Sequence, residues 1–357
     1  MKLIHTSDIH IDSPLTAKLS PEKIRERRRE LLLAFSLLAK EAKRLGASGI
    51  IIAGDLFDSE KIFKRAINTA LDVIESNPEI AFFYLYGNHE RSAILDSGIP
   101  LPKNLYIFGE EWTYFDFGDV IISGRAVCSS DMFKTLKISK EKKNIVVLHG
   151  ELRDRSSEPD VIGKNDARDL GIDYLALGHY HTYREEMLDR QTSAVYSGTP
   201  EGRGFDEVGK KGFVLIDTDG DAVRHTFVSF AKRRLHDIEI DITDAARPSE
   251  IEERAASALV GVPSSDLVRL TLVGSYTPSL WKDTEALARV FADRYYYLEV
   301  KDSSRLEINP ELYKNDKSFK GEFIRLVSSD TTLSKKQKEH IISLGVYALM
   351  GEEYHVE

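Results

Sequence analysis

A chain of 357 residues, 42% apolar and 30% charged, can bury a sizeable core and has the length of two domains, or of one large domain with an appendage. No apolar run approaches the roughly 20 residues of a membrane span, and the N-terminus enters a strand without a basic and apolar leader, so no membrane association and a cytoplasmic location are expected. The single cysteine, Cys128, excludes an internal disulfide and reads as packing, while the net charge of -9 runs against a nucleic-acid partner, which usually rests on a basic footprint.

The opening run Leu3-Ile4-His5-Thr6-Ser7 reads as a strand that delivers Asp8 and His10. Residues 20–46 follow as a long amphipathic helix: Ser20 suits the N-cap, Pro21 the first helical position and Gly46 the exit. Ile24, Leu31, Leu32, Phe35, Leu38, Ala39, Ala42 and Leu45 recur at helical spacing, with one basic lapse at Arg28. Ile50-Ile51-Ile52-Ala53 is an unbroken apolar run, the mark of a strand buried on both faces. It closes on Gly54-Asp55-Leu56-Phe57-Asp58, where a carboxylate cannot be there for packing. In open α/β sheets the loops after strand ends form the ligand crevice.

A helix over about 61–76 leads to the strand Phe82–Tyr86 and then to Gly87-Asn88-His89-Glu90. Short strands at 105–108, 113–117 and 120–123, with turns at Gly109 and Gly118, make the sheet arrangement mixed. Ile145–Leu148 runs into His149-Gly150-Glu151, and Tyr174–Leu177 into Gly178-His179-Tyr180-His181. Between them the polar stretch 153–159 is a loop, either contacting substrate or merely connecting. Strands at 194–196, 212–217 and 223–230 are expected to close a second sheet. The basic clusters at 25–29, 134–143 and 232–234 read first as solvated surface.

Near residue 235 the organisation changes. A strand at 238–242, a helix opened by a Ser249/Glu252 capping box, a strand at 268–272, a helix over about 284–294 and a strand at 295–300 make a βαβαβ unit without ligand-type residues at its strand ends. After Pro310 two helices follow. Phe319, Phe323, Ile324 and Val327 share one face of the first, and Ser334 with Gln337 caps the second, which runs to Gly351. Two short helices bury little alone, so they dock either on the preceding unit or on the helices of a partner.

Five strand ends thus deliver imidazoles, carboxylates and an amide to one edge, the donor set of a divalent transition metal. Two such ions about 3.5–4 Å apart clamp the attacking and leaving oxygens of a phosphoryl displacement. The assignment puts Asp8, His10 and His181 on one metal, Asn88, His149 and His179 on the other, and Asp55 between them as the bridging carboxylate. A bridging hydroxide, formed from water acidified by both ions, is the nucleophile, so no Ser or Cys is required. His89 is placed to protonate the leaving oxygen, and Asp58 to orient its imidazole. Manganese, iron and zinc all suit these donors. Of the other histidines, His5 lies within the first strand and reads as packed, while His225, His236, His340 and His355 read as surface or structural.

DIH at 8–10, GDLFD at 54–58, GNHE at 87–90, LHGE at 148–151 and GHYH at 178–181 together resemble the calcineurin-like metallophosphoesterases. The resemblance implies an α/β fold, the four-layer α/β/β/α metallophosphoesterase sandwich, with a small α+β cap domain and a helical C-terminal tail. Within that superfamily HTSDIH, GDLFD, YSGTPEGRGFDEVGKKGFVLI at 196–216 and the βαβαβ unit are similar to the SbcD- and YhaO-like DNA repair exonucleases, over about residues 1–300. GEFIRLV at 321–327 and LGVYALMGEE at 344–353 look like the bacterial members. GNHE stands where those nucleases more usually carry GNHD.

What this resemblance implies is a phosphodiesterase dependent on two divalent metal ions, Mn2+ first and Fe2+ or Zn2+ as alternatives. It would act on DNA as an exonuclease or endonuclease in repair, form a homodimer and pair with an SbcC-like coiled-coil ATPase. The expected domains are a dimetal phosphoesterase over 1–234, the βαβαβ cap over 235–309 and a helical tail over 310–357 that docks the partner. Two alternatives remain: a small-nucleotide phosphodiesterase or phosphatase of the same superfamily, and a non-catalytic subunit of the ATPase complex. The intact ligand set argues against the second.

Overall fold

The apolar runs of the sequence are strands whose alternate residues enter two different cores. In the computed structural model, which describes residues 1–11, 13, 15, 19–58, 64–87, 90, 94–95, 98–129, 131–155, 158 and 160–350, the chain divides into two units, Met1–Leu235 and His236–Glu357. The first unit begins β1 (Lys2–Thr6), α1 (Pro21–Leu45), β2 (Gly49–Ala53), α2 (Lys64–Glu75), β3 (Ala81–Leu85), β4 (Leu105–Ile107). It continues through β5 (Thr113–Phe117), β6 (Val120–Gly124), β7 (Lys143–His149), β8 (Glu151–Arg153), β9 (Val161–Gly163), the one-turn α3 (Lys164–Ala167), β10 (Tyr174–Gly178), β11 (Arg184–Met187), β12 (Ser193–Tyr196), β13 (Gly212–Asp217) and β14 (Arg224–Ser229).

Among the described residues these strands form two six-stranded sheets, β14-β13-β1-β2-β3-β4 and β11-β12-β10-β7-β6-β5. β1 to β4 run parallel in the first, and β6, β7, β10 and β12 run parallel in the second. Ile51, Ala53, Phe83 and Leu85 of one sheet meet Ile145, Val147, Tyr174 and Ala176 of the other in a common core. Their strand neighbours face outward: Ile50, Ile52, Phe82 and Tyr84 pack on Phe35 and Leu38 of α1 and on Ile67 and Leu71 of α2. Val146, Leu148, Leu175 and Leu177 pack on a thinner layer, built from Met132 and Phe133 of a 3-10 turn and Ala167 of α3. The architecture is therefore a mixed α/β sandwich with helices on one outer face and single turns on the other.

Several local expectations shift. Residues 212–217 and 224–229 do not close the second sheet; β13 pairs antiparallel with β1, and β14 with β13, so both extend the first. Within the polar stretch after His149, β8 pairs parallel with β9, while Ser156, Ser157 and Pro159 lie outside the described residues, as do residues 61–63 of the expected second helix. On α1 the basic side chain turned inward is Arg27, not Arg28, which is exposed. Arg27 is buried because its guanidinium donates to Glu30 (2.6 Å), Glu201 (3.0 Å) and the Gly202 carbonyl (2.7 Å).

In the second unit β15 (Leu235–Asp241), α4 (Pro248–Ala258), β16 (Leu267–Val273), β17 (Ser275–Tyr276), α5 (Thr284–Phe291), β18 (Tyr297–Asp302) and β19 (Arg305–Leu306) precede α6 (Phe319–Ser329) and α7 (Lys335–Met350). β15, β16 and β18 form a three-stranded sheet. α4 begins at Pro248 with Arg247 as its N-cap, two residues before the Ser249 cap expected, and without a side-chain cap hydrogen bond. The second capping box is present: Ser334 N–H donates to Gln337 Oε1 (2.9 Å) and Gln337 N–H to Ser334 Oγ (3.4 Å). Ile324 and Val327 of α6 and Ile342 and Val346 of α7 belong to the same core as Val268, Leu270 and Phe291, whereas Phe319 points out, 77% exposed. No described helix is long and apolar enough to cross a membrane.

Because Ile324 is fully buried in that core, Ile324→Ala removes packed atoms that neighbours only partly replace. It should destabilise the second unit by about 2–5 kcal/mol, measured as a lower denaturant midpoint at unchanged slope. A loss below about 0.5 kcal/mol, typical of a surface site, would show that the tail does not pack there.

Candidate metal centre

The loops after the C-terminal ends of the parallel strands meet at one edge of the sandwich. Asp8 and His10 follow β1, Asp55 follows β2, His149 closes β7, and His179 and His181 follow β10. Asp8, His10, Asp55 and His179 hold positive φ of 51°, 48°, 50° and 108°, a conformation that costs on the order of 1–3 kcal/mol per residue and survives only where the surroundings over-determine it. The surroundings here are a ladder between loops: Asp8 N–H donates to Gly54 O (3.0 Å), His10 N–H to Asp55 O (3.1 Å) and Ile11 N–H to Leu56 O (2.9 Å).

Two glycines make the approach of these loops possible. A Cβ on Gly87 would stand 1.8 Å from Asp55 Oδ1, and one on Gly178 would stand 1.8 Å from Ala53 O. Glu90, fully buried, accepts the N–H groups of Leu56 (2.9 Å), Phe57 (2.6 Å) and Gly87 (3.3 Å). It thereby ties the loop after β3 to the loop that carries Asp55. Burial and the Asp55 charge push its carboxyl up to about 8, against the pull of the Leu56 and Phe57 N–H groups.

Three imidazoles are oriented in the same sense. His10 Nδ1 lies 3.0 Å from Asp58 Oδ1, His149 Nδ1 lies 2.9 Å from Ala53 O, and His181 Nδ1 lies 2.6 Å from Glu207 Oε1. An acceptor at Nδ1 favours the ring proton there and the Nε2 lone pair toward the site. This holds for His149 and for His181, whose Nδ1 also has Arg203 Nη2 at 3.1 Å, while His10 Nδ1 meets Asp58 as a close charge contact outside hydrogen-bond geometry. The Nε2 atoms converge: those of His10 and His181 are 3.4 Å apart, His181 Nε2 is 3.7 Å from Asp8 Oδ1, and His149 Nε2 is 3.5 Å from Asp55 Oδ2.

Two overlapping groups result, Asp8 with His10 and His181, and Asp8 with Asp55 and His149, each offering one atom per residue within 4.8 Å of the others. Asp8 is fully buried and Asp55 is 4% exposed. Asp8 Oδ2 accepts the Ser7 hydroxyl (2.5 Å), and both its oxygens face the His179 N–H (3.1 and 3.2 Å). Asp55 Oδ1 finds no donor among the described residues. Buried carboxylates of this kind cost several kcal/mol unless a cation compensates them. Imidazole nitrogen and carboxylate oxygen at this spacing fit a divalent transition metal.

The remaining expected residues fall differently. His179 is in neither group; its ring centroid is 5.7 Å from that of His149, and burial and His149 lower its pKa against Asp8 and Asp55. Asn88 and His89 lie outside the described residues. Asp58, expected to orient His89, contacts His10 and Arg203, so its described work is on a candidate ligand. Glu207 carried no local signal in the sequence. Burial alone would raise its carboxyl, but the hydrogen bonds from His181 and Arg203 bring it down to about 2, and the same contact raises His181 against burial. Cys128 donates to His149 O (3.4 Å), and burial pushes its thiol up to about 12, which makes it an inert packing group.

A family model described as calcineurin-like phosphoesterase matches residues 1–183. The chain is 28% identical over 301 residues to a protein described as the uncharacterized metallophosphoesterase YhaO of Bacillus subtilis (strain 168), covering 77% of this chain and 72% of that one. It is 24% identical to the DNA double-strand break repair protein Mre11 of Aeropyrum pernix, covering 68% of this chain and 64% of that one. It is also 25% identical to a component of the SbcCD nuclease of Staphylococcus epidermidis, covering 88% of this chain and 93% of that one.

The glycine cradle gives a direct check on the centre. Gly87→Ala must displace the Asp55 carboxylate, because a methyl group cannot stand 1.8 Å from its oxygen. The variant should stay folded by circular dichroism yet bind metal at least about 10-fold more weakly, measured by titrating the metal-free protein. Wild-type affinity would remove Asp55 from the ligand set.

Proposed function

We propose that this chain, which belongs to the calcineurin-like phosphoesterase family, is a two-metal phosphodiesterase that cleaves DNA in repair. It is a metal-dependent hydrolase. The observation that supports the finer reading best is the convergence of three imidazole Nε2 atoms on Asp8 and Asp55, with Asp55 Oδ1 left without a donor among the described residues. Asp8, His10 and His181 would hold one ion; His149, with His179 and Asn88, the other. Asp55 suits the bridging role because its Oδ2 is 3.5 Å from His149 Nε2 and 3.9 Å from His10 Nε2. When bound, the two ions supply a positive clamp for the phosphate and a water acidified enough to attack it. The protein's own part is to hold the ligand lone pairs inward, and His89 is the assigned donor of the leaving-group proton.

DNA as the substrate, manganese as the metal and a coiled-coil ATPase as the partner follow the relatives' names and the motif resemblance. The net charge of -9 makes a basic surface supplied by such a partner part of this reading. The tail leaves room for it: α6 buries Ile324 and Val327 while Phe319 and Leu326 stay 77% and 69% exposed. The lone, buried Cys128 suits a reducing cytoplasm.

The test is manganese-dependent hydrolysis of linear duplex DNA, single-stranded DNA and a chromogenic phosphodiester by wild type and Asp55→Asn. Wild type should release nucleotides from DNA, and the variant should lose at least about 100-fold of that rate, the scale of removing a preorganised charge from the reacting centre. DNA cleavage surviving in Asp55→Asn would overturn the site, and hydrolysis of the small diester alone, with the partner present, would overturn the substrate.

A further inference from the structure

The loop after β12 supplies none of the assigned ligands, yet it reaches the centre through one side chain. Arg203 Nη1 donates to Asp58 Oδ1 (3.1 Å) and Ser13 Oγ (2.9 Å), while Arg203 Nη2 and Nε donate to Glu207 Oε1 (2.6 and 3.0 Å). Those two carboxylates are the ones that meet the Nδ1 atoms of His10 and His181, and Arg203 Nη2 also stands 3.1 Å from His181 Nδ1 itself. The guanidinium therefore closes a chain running His10, Asp58, Arg203, Glu207, His181, whose two ends present Nε2 atoms 3.4 Å apart. Glu207 is 2% exposed, and the Arg203 side chain is 12% exposed.

The loop is itself held in register with His181. Glu207 Oε2 accepts the Arg203 N–H (2.8 Å), Lys211 Nζ donates to the His181 carbonyl (2.6 Å), and Thr199 N–H approaches the same carbonyl (3.3 Å). A planar fork with five donors can address two carboxylates in fixed directions, which a lysine ammonium cannot. Its position on the Nδ1 side matters as much. There it offsets the charge of Asp58 and Glu207 without occupying the Nε2 side, where a cation would sit.

We propose that Arg203 is a positioning residue that, through Asp58, Glu207 and its own contact with the His181 ring, sets the spacing of the His10 and His181 Nε2 donors and so preforms one of the two cation sites. The proposal rests on the two-metal reading above. It predicts a selective effect: disrupting the chain weakens the ion held by His10, His181 and Asp8, and spares the one held by His149.

The experiment is cobalt(II) titration of the metal-free full chain, followed by calorimetry and by visible absorption, for wild type, Arg203→Met, Arg203→Lys and Glu207→Gln. Thermal unfolding of each metal-free protein is measured alongside. Wild type should bind two ions. Arg203→Met and Glu207→Gln should each lose about 10- to 100-fold in affinity at one site, the range for groups that orient metal ligands, with the absorption of that ion altered and the second site unchanged. Arg203→Lys should recover only part of the loss. Glu207→Gln keeps the size of the side chain and carries the test if Arg203→Met does not fold. Two wild-type affinities in both Arg203→Met and Glu207→Gln, even with a lowered melting temperature, would overturn the proposal alone and leave a loop brace. Fewer than two ions in wild type would overturn the two-metal reading and the proposal with it.

Discussion

Two carboxylates, Asp8 and Asp55, are buried side by side among the imidazoles of His10, His149 and His181, and the rest of the first unit is built around that arrangement. Taken out of water without a counter-charge, each carboxylate would cost several kcal/mol. No guanidinium or ammonium is turned on the Asp55 oxygen that lacks a donor among the described residues. A cation bound on the site side would balance the charge, and the protein places the Arg203 guanidinium one layer back. Arg203 illustrates the division: it engages Asp58 and Glu207, behind the imidazoles, and leaves Asp8 and Asp55 to the site.

Holding such a centre requires rigidity that loops alone lack. Here the loops are short extensions of parallel strands sandwiched between cores; backbone hydrogen bonds tie the loop after β1 to that after β2 and Gly150 to Gly178, and the Glu90 side chain ties in the loop after β3. The positive φ values at Asp8, His10, Asp55 and His179 turn side chains toward the site that an extended continuation of the strand would direct alternately up and down. Strain at these residues is sustained by the packing of Ile51, Ala53 and Val147 beneath them, which fixes where the strands end.

The strand ends were legible because two independent patterns coincide there: an apolar run too uniform for a half-exposed strand, and a polar ligand-type residue straight after it. Alternation of Ile50 and Ile52 against Ile51 and Ala53 between two cores explains the uniformity. Pairing partners were not legible in the same way. Nothing local in Gly212–Asp217 says that it lies against β1 instead of β12, since register and neighbour are set by tertiary packing. β11, with the sequence Arg-Glu-Glu-Met and every residue exposed, has no apolar face to read. Arg27 and Arg28 differ by one helical step of about 100°, and only the partners Glu30 and Glu201, the latter distant in sequence, decide which is buried. Glu207 was hidden for the same reason, as its partner His181 is 26 positions away.

Glu90 bears on one of the two departures from the nuclease pattern, the other being the acidic net charge. A glutamate stands where those enzymes more usually carry aspartate, directly after the expected ligand Asn88 and the expected acid His89. Its carboxylate turns back beneath the loop after β2 and receives two of that loop's N–H groups, with a third from Gly87. Three of the carboxylate's four lone-pair positions are taken by backbone donors, which commits the side chain to supporting the loop that carries Asp55. Its extra methylene relative to aspartate is spent on reaching Leu56 and Phe57, so the substitution concerns how Asp55 is supported, and it carries little weight in choosing between DNA and a smaller phosphodiester.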